Sequence, residues 1–346
     1  MNHNDNQPIT TSTDSDTVLE LVNLRKEFMV KTGSFQNQPL VAANDVSFAI
    51  KRSEGLALVG ESGCGKSTVA KCILQLERPT SGDVILNGRS MMQFDKKELR
   101  KARSKIQLVF QDPADSLNPR YSVRKMLMEV LTLHTDMTNT EKTAKCYDLL
   151  RTVGINENAI DKYPHEFSGG QQQRIGIARA LATGAEIFVL DEPTSALDTS
   201  IQGQILDLLI NLQKEHNFTY LFITHNLSVI QYLCKYTAVM YLGRIVEIGK
   251  TEDILNKPIH PYTRALMNAI PIPDPTKKRE RAEVLAGEAP SPINVPKGCF
   301  LCGRCKHVTE ECHTCNMALN DYGDDHKSSC LKSREFQEAI EKNNNG

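Results

Sequence analysis

The chain of 346 residues has no tryptophan, no long apolar run and no excess of charge of either sign. A helix that crosses a bilayer needs ~20 mostly apolar residues, so no segment is predicted to span a membrane. With 41 basic and 42 acidic residues the formal net charge is -1, which gives no electrostatic basis for binding nucleic acid. The polar first residues lack the apolar core of a signal peptide. These absences predict a cytoplasmic protein.

The residues that are present divide the chain into four regions. Residues 1–17 are polar and predict a disordered tail. Residues 18–270 alternate strand-like and helix-like patterns, which predicts an α/β domain with a mostly parallel sheet, an antiparallel part at its start and a helical subdomain near 112–180. Residues 271–332 combine a proline-rich linker with most of the cysteines, and we expect residues 333–346 to be a frayed polar end.

A glycine-rich loop follows the apolar run GLALVG and precedes a helical pattern. It reads GESGCGKST and fits G-x-x-x-x-G-K-[ST], in which backbone N–H groups and a helix N-terminus surround a phosphate. Lys66 is expected to reach the β- and γ-phosphates, and Ser67 to ligate Mg²⁺. We name it the phosphate loop. Its residues are Gly60, Glu61, Ser62, Gly63, Cys64, Gly65, Lys66, Ser67 and Thr68.

A second candidate is the apolar run FVLDE at 188–192, which ends in two carboxylates. A buried strand here delivers Asp191 to the Mg²⁺ shell. It also places Glu192 where a carboxylate can orient or deprotonate an attacking water. This motif alone is a weak signal, because apolar runs that end in Asp-Glu are also common where helices start.

A third candidate is FSGGQQQR at 167–174, which precedes a helical pattern. A serine followed by two glycines presents N–H groups to an anion, although an ordinary serine-capped helix has the same letters. Because one nucleotide needs only one phosphate loop, a second anion site indicates a sandwich in which this turn faces a nucleotide held by another subunit. We name it the signature turn. Its residues are Ser168, Gly169, Gly170 and Gln171.

Together these stretches resemble the nucleotide-binding subunit of an ATP-binding-cassette (ABC) transporter, with Walker A, Walker B and signature motifs in family order. Gln111 in FQDP resembles the Q-loop glutamine, Asp198 in SALD the D-loop, and His225 in ITHN the switch histidine. The resemblance implies that Gln111 touches Mg²⁺ or water, that Asp198 lies at a dimer interface and that His225 contacts the γ-phosphate. It therefore implies ATP and Mg²⁺ as cofactors, with catalysis by Glu192, His225 and Gln111.

The aromatic side chain that stacks on adenine is not fixed by spacing. Phe28 in RKEF is our choice and Phe35 is the alternative, since residues 29–40 look like an insertion. The fold implied by the resemblance is a P-loop ABC nucleotide-binding domain followed by a small, cysteine-rich, metal-bound tail.

Longer stretches narrow the resemblance to the ATPases of oligopeptide and dipeptide permeases, over residues 18–332. They include FQDPADSLNPR, YPHEFSGGQQQRIGIARAL and HPYTRALMNAIPIPDP. This branch implies the second, F-type subunit, paired as a heterodimer with a homologous ATPase. It also implies two transmembrane permease subunits, an extracytoplasmic peptide-binding protein, and a peripheral position on the cytoplasmic face of the membrane. Related branches carry nickel, opines or cell-wall peptides.

Six of the ten cysteines lie in residues 299–330, which we name the cysteine segment. The opening C-x2-C-x2-C resembles that of bacterial ferredoxins. The two pairs Cys299-x2-Cys302 and Cys312-x2-Cys315 instead suit zinc. In a reducing compartment such clusters indicate metal or redox chemistry more than disulfides. The six are Cys299, Cys302, Cys305, Cys312, Cys315 and Cys330.

The family resemblance favours a [4Fe–4S] cluster over zinc or unmetallated thiols. Some family members carry such a cluster, and their ligand pattern corresponds here to Cys299, Cys305, Cys312 and Cys330. Cys302 and Cys315 are not part of that pattern. The role of the cluster is expected to be structural, because a short segment with few apolar residues needs a metal centre or another cross-link to fold. We therefore expect Cys330→Ser to unfold this segment and to leave ATP binding intact.

Three other classes of protein compete with the transport ATPase. A soluble ABC ATPase of DNA repair or translation usually has two cassettes or a long coiled coil, and neither is present. The signature turn and the SALD and ITH stretches argue against a P-loop kinase or GTPase. An iron–sulfur redox sensor that binds ATP is favoured only if thiol state controls hydrolysis.

Overall fold

The computed structural model describes residues 16–32, 36–112, 116–269, 285–293 and 295–344. Phe35, residues 1–15 of the predicted disordered tail and most of the proline-rich linker lie outside this part of the chain. Within it, no helix combines the length and the apolar character needed to cross a membrane.

The strands and helices follow the predicted alternation. The strands are Thr17–Thr32 (β1), Gln36–Lys51 (β2), Gly55–Val59 (β3), Ser81–Leu86 (β4), Arg89–Ser90 (β5), Ile106–Val109 (β6), Ile187–Asp191 (β7), Thr219–Thr224 (β8), Tyr236–Tyr241 (β9), Arg244–Lys250 (β10), Asn320–Asp321 (β11) and Lys327–Ser328 (β12). The helices are Lys66–Ile73 (α1), Lys96–Lys105 (α2), Val123–His134 (α3), Asn139–Thr152 (α4), Gly169–Leu181 (α5), Thr199–His216 (α6), Ile230–Leu233 (α7), Thr251–Asn256 (α8), Pro261–Ala269 (α9) and Ser333–Asn344 (α10).

The main sheet has the strand order β11-β12-β10-β9-β3-β8-β7-β6. Its strands from β9 to β6 run parallel, and β10 pairs antiparallel with β9. The central strands read as continuous apolar runs and are buried, as in GLALV of β3, because helices cover both faces of a parallel sheet. The carboxyl ends of β3, β6, β7 and β8 meet at one edge, where α/β sheets bind ligands.

A second, antiparallel sheet has the order β2-β1-β4-β5. Strands β1 and β2 form one long hairpin in which Phe28 pairs with Leu40. The stretch 29–40, which looks like an insertion in the sequence, contains the end of this hairpin. The sheet packs its buried side chains, among them Leu19 and Phe48, in one cluster with Val69 of α1.

Helices α3, α4 and α5 lie in the stretch where a helical subdomain is predicted, and they pack on one another through buried side chains such as Leu127, Leu150 and Ile175. The sequence pattern after the ITH stretch predicts a helix near 226–234, and the helix found there is shorter. The Asn226 carboxamide oxygen accepts hydrogen bonds from the Ser228 backbone at 3.2 Å and from its hydroxyl at 2.6 Å. Such a local side-chain turn competes with the helix, so α7 begins only at Ile230.

The C-terminal residues correct a prediction. Residues 333–344 form α10 instead of a frayed polar end. The buried Ser333 hydroxyl donates to the Ile259 carbonyl oxygen at 3.0 Å. The Phe336 ring lies 5.0 Å from the His307 ring and 4.9 Å from the Arg264 guanidinium. Tertiary contacts therefore hold a helix whose own sequence has few apolar residues.

The cysteine segment joins the main sheet. Its strand β12 pairs with Glu247 and Ile248 of β10 and so extends the sheet edge. The fully buried Glu247 carboxylate accepts backbone hydrogen bonds from Ile259 at 2.8 Å and His260 at 3.1 Å, and lies 2.7 Å from Nε2 of His326. These contacts cross the boundary that the sequence suggests at residue 271.

Candidate active site

The phosphate loop connects the carboxyl end of β3 to α1. Gly65 precedes the helix at φ 110°, a conformation that only glycine adopts readily. A Cβ at this position would stand 1.9 Å from the carbonyl oxygen of Ala42. The buried Lys66 ammonium donates to the carbonyl oxygens of Gly60 at 2.8 Å and Glu61 at 3.0 Å. The lysine ammonium therefore lies over its own loop, where the phosphate of a bound nucleotide can replace these two carbonyl oxygens as its partner.

The two carboxylates expected from FVLDE follow one another at the end of β7. Oδ1 of Asp191 accepts a hydrogen bond from the Ser67 hydroxyl at 3.2 Å, so two of the predicted Mg²⁺ ligands are neighbours. Burial raises the pKa of the Asp191 carboxyl, because the charged form loses hydration. A bound cation reverses that effect by favouring the ionised carboxylate.

Glu192 adopts φ 47°, an unusual region for a residue other than glycine. Its backbone N–H donates to the Ile223 carbonyl oxygen of β8 at 2.8 Å. Its Oε2 lies 3.1 Å from Nδ1 of His225. The predicted general base and the predicted switch histidine therefore form a pair at the carboxyl ends of adjacent strands.

One open pocket collects most of the predicted ATP-site residues. Its cavity volume is about 340 Å³, within the range of ligand pockets. Phe28, phosphate-loop residues 62–68, Gln111 and Glu192 line it. The alternative adenine partner, Phe35, lies outside the described residues. Pro292, in the described part of the linker, also lines the pocket, and nothing in the local sequence predicts this; its carbonyl oxygen accepts the Val41 N–H at 3.1 Å.

The signature turn is placed elsewhere, on the exposed N-terminus of α5. The Ser168 hydroxyl accepts the Gln171 backbone N–H at 3.4 Å, and the Gln171 side chain returns a bond to the Ser168 N–H at 3.1 Å. Asp198 is exposed and caps α6 through the Ile201 N–H at 3.1 Å. Over the described part of the chain, the lining of the pocket includes neither Asp198 nor the signature turn.

Comparison with known proteins agrees with this geometry. Residues 43–195 match the ABC transporter family, and residues 246–312 match the C-terminal region of oligopeptide/dipeptide transporters. Over 300 residues the chain is 45% identical to the oligopeptide transport ATP-binding protein AppF of Bacillus subtilis (strain 168), covering 85% of this chain and 91% of that protein. The chain belongs to the ATP-binding subunits of oligopeptide/dipeptide ABC transporters.

A second relative and a solved structure extend the comparison. The dipeptide transport ATP-binding protein DppF of Escherichia coli (strain K12) is 43% identical over 307 residues, covering 88% of this chain and 92% of that protein. A solved dimeric ATP-binding cassette, described in a post-hydrolysis state with ADP and Pi, is 30% identical with a TM-score of 0.60. It covers 67% of this chain and 98% of that chain. The expected ABC ATPase fold is confirmed, and ATP and Mg²⁺ are the ligands that this ABC ATPase requires.

The part of this ABC ATPase beyond the cassette contains the six clustered cysteines. All six line one cavity together with His260 and His307, and none of them forms a disulfide. Across the described residues, however, no three histidine, cysteine or acidic side chains are grouped so that they could hold a metal ion. The thiols therefore share a cavity without surrounding a single point.

Hydrogen bonds distinguish the thiols from one another. The sulfurs of Cys305 and Cys330 accept backbone N–H groups from His307 and Lys332, both at 3.4 Å, and the Cys312 sulfur lies 3.4 Å from a threonine hydroxyl. Cys315 instead donates its thiol hydrogen to a carbonyl oxygen at 3.5 Å. Accepted hydrogen bonds stabilise a thiolate, and such bonds tune ligating sulfurs.

Proposed function

We propose that this chain hydrolyses ATP to power the import of oligopeptides or dipeptides across the cytoplasmic membrane. The observation that carries the proposal is the match of both the cassette and the C-terminal region to transport ATPases that are named for these substrates. The partners implied by this role are transmembrane permease subunits and an extracytoplasmic peptide-binding protein. The chain would then lie peripherally on the cytoplasmic face of the membrane.

The positions of the motifs support an ATP sandwich between two subunits. Ser168, Gly169 and Gln171 of the signature turn are solvent-exposed, and within the described residues the turn does not line the pocket of its own chain. A second subunit is needed to bring such a turn to the γ-phosphate. The pairing proposed here is a heterodimer with a homologous ATPase, in which this chain is the F-type subunit and Asp198 faces the partner.

The positions of the ATP-site residues support the following roles. Lys66 exchanges its carbonyl partners for β- and γ-phosphate oxygens, and Phe28 borders the base. Ser67, Asp191 and Gln111 would hold Mg²⁺, which would neutralise charge on the phosphates. Glu192 orients or deprotonates the attacking water, and His225, 3.1 Å away, orients that carboxylate and contacts the γ-phosphate. Catalysis is mainly positioning and electrostatic stabilisation.

The cysteine cavity suits a [4Fe–4S] cluster held by Cys299, Cys305, Cys312 and Cys330. A cluster spreads its thiolates around several iron atoms, whereas a zinc ion draws four ligands to ~2.3 Å from one point. The shared cavity of the six thiols supports a common ligand site, and the family pattern selects the cluster and these four ligands. Burial raises the pKa of Cys330 to about 11, so binding must release thiol protons.

The division of the chain stays a proposal of the same kind. Residues 18–270 are proposed as the ATPase domain, and residues 271–332 as a linker and cluster-binding region. Because β12 pairs with β10, the second of these regions is proposed to pack on the ATPase domain and not to form a separate unit.

Uptake of a labelled tripeptide tests the function in the source organism. A strain without the chain should lose uptake, and the wild-type chain should restore it while Glu192→Gln does not. Restored transport by Glu192→Gln would contradict an ATP-driven role for this subunit. If nickel uptake were lost instead of peptide uptake, the substrate class would be wrong and the ATPase assignment would stand.

Metal content tests the cluster separately. Protein purified without oxygen should contain roughly four irons and four acid-labile sulfides per chain, and Cys302→Ser should leave both values unchanged. Cys305→Ser should reduce both. About one zinc without sulfide would overturn the cluster and leave the ATPase proposal intact.

A further inference from the structure

An arginine of the cysteine segment contacts the phosphate loop, although 243 residues separate the two partners in the sequence. Nη1 of Arg304 lies 3.1 Å from Oε2 of Glu61, and Nη2 lies 3.2 Å from Oε1. Each of the two terminal nitrogens of the planar guanidinium therefore meets one oxygen of the carboxylate. This two-point geometry fixes direction as well as distance. The Arg304 side chain is only 10% exposed and that of Glu61 33%, so water screens the pair weakly.

Glu61 is also held by the ATPase domain. Its backbone N–H donates to the Tyr262 hydroxyl at 2.9 Å, and its carbonyl oxygen accepts the Lys66 ammonium at 3.0 Å. A shift of Glu61 therefore changes the position of the lysine that reaches the phosphates. The carboxylate of the same residue is the part that the cysteine segment holds.

Arg304 is in turn fixed by the cysteine segment. It lies between Cys302 and Cys305, and its backbone N–H donates to the Leu301 carbonyl oxygen at 2.8 Å. The next residue, Cys305, donates to the same carbonyl at 2.9 Å. The backbone bonds of this turn therefore fix the point from which the Arg304 side chain extends. Its guanidinium also donates to the Ala286 carbonyl oxygen at 3.3 Å and to the Tyr241 hydroxyl at 3.5 Å.

We propose that Arg304 is a positioning residue for ATP binding, which couples the folded state of the cysteine segment to the phosphate loop through Glu61. Coupling between two sites is reciprocal. A folded cysteine segment strengthens ATP binding, and bound ATP stabilises the cysteine segment. The inference rests on the ATP site and is independent of which substrate is transported. It replaces the expectation that loss of Cys330 leaves ATP binding intact.

A double-mutant cycle on the full chain tests the contact. The dissociation constant of a fluorescent ATP analogue with Mg²⁺ is measured for wild type, Arg304→Gln, Glu61→Gln and the double variant. Arg304→Gln should weaken binding about tenfold, within the range of site-to-site coupling, and Arg304→Lys should restore part of it. The double variant should bind no more weakly than Arg304→Gln alone, because both changes remove the same contact.

Arg264→Gln is the matched control. Arg264, in α9, also contacts the C-terminal part of the chain, since its guanidinium lies 4.9 Å from the Phe336 ring of α10. It should leave nucleotide affinity unchanged. Equal weakening by Arg264→Gln would mean that general loosening of the C-terminal region is the cause, and would overturn the proposal. Additive effects of Arg304→Gln and Glu61→Gln would also overturn it.

The reverse direction of the coupling has its own readout. The alkylation rate of Cys302, which is not a proposed cluster ligand, is followed by mass spectrometry with and without saturating ATP and Mg²⁺. The buried Cys146 and Cys234 serve as internal references, since burial raises their thiol pKa values. ATP should slow Cys302 alkylation several-fold in wild type and leave the rate unchanged in Arg304→Gln. An ATP effect of equal size in both proteins would overturn the coupling.

Discussion

The phosphate loop and the cysteine segment reach ordered geometry by different means. The phosphate loop lies between a buried strand and a helix, so its glycines and backbone N–H groups are oriented by neighbours in sequence. The cysteine segment has little regular structure of its own, and it is held by distant residues such as Glu247 and Glu61. A site built from adjacent elements can be read from local sequence, whereas a site held by distant contacts cannot.

The largest expected effect concerns chemistry at the strand-built site. Glu192→Gln should lower kcat for ATP hydrolysis by about 10²–10⁴-fold, the usual contribution of a general base. Affinity for ATP should be retained, because the amide preserves the shape of the side chain. Steady-state hydrolysis and nucleotide titration check the two quantities. Loss of affinity in proportion to kcat would show that Glu192 binds the nucleotide and does not act on the water.

The next effect tests whether the phosphate loop depends on backbone conformation. Gly65→Ala should lower the free energy of unfolding by about 3 kcal/mol, at the upper end for overpacking, because the new Cβ meets the Ala42 carbonyl oxygen. Thermal or denaturant unfolding measures it. Gly203→Ala in α6, where a Cβ meets nothing within 4 Å, is the control and should be neutral or stabilising. A neutral Gly65→Ala would mean that the loop is less tightly constrained than its contacts indicate.

A third prediction addresses the distant contacts that hold the cysteine segment. Glu247→Ala should lower the free energy of unfolding by about 2–3 kcal/mol. It leaves the buried backbone N–H groups of Ile259 and His260 without their acceptor. Hydrogen exchange should rise in β12 and α10 well before it rises in β3 and β7. Equal exposure of both regions would show that the cysteine segment and the central sheet unfold as one unit. Glu20→Gln, on the other sheet, is the control and should leave exchange in β12 unchanged.

The smallest effect is expected at the C-terminal helix. Phe336→Ala removes ring contacts with Arg264 and His307 and should cost about 1 kcal/mol. Exchange should increase in α10 while nucleotide affinity stays the same, since Phe336 lies outside the path from Arg304 to Glu61. A change in affinity would extend that path to α10. Gln337→Ala, a neighbour without a ring, should have the smaller effect.

Local patterns predict the cassette well. The phosphate loop, Asp191, Glu192 and His225 follow apolar strands, and parallel strands bring their carboxyl ends to one edge. The same reasoning misses α10, because its sequence carries few apolar residues and Phe336 is held by rings from other elements. Pro292 in the nucleotide pocket is not predicted either, since a proline within a linker carries no sign of its partner Val41.

The sequence by itself determined the ABC ATPase fold and the ATP site, because glycines, capping residues and apolar periodicity act over a few residues. The tertiary structure decided that the cysteine segment extends the main sheet through β12, that Glu247 lies buried beneath it, and that Arg304 meets Glu61. Two charges separated by 243 residues leave no periodic pattern, so only the folded chain brings them together.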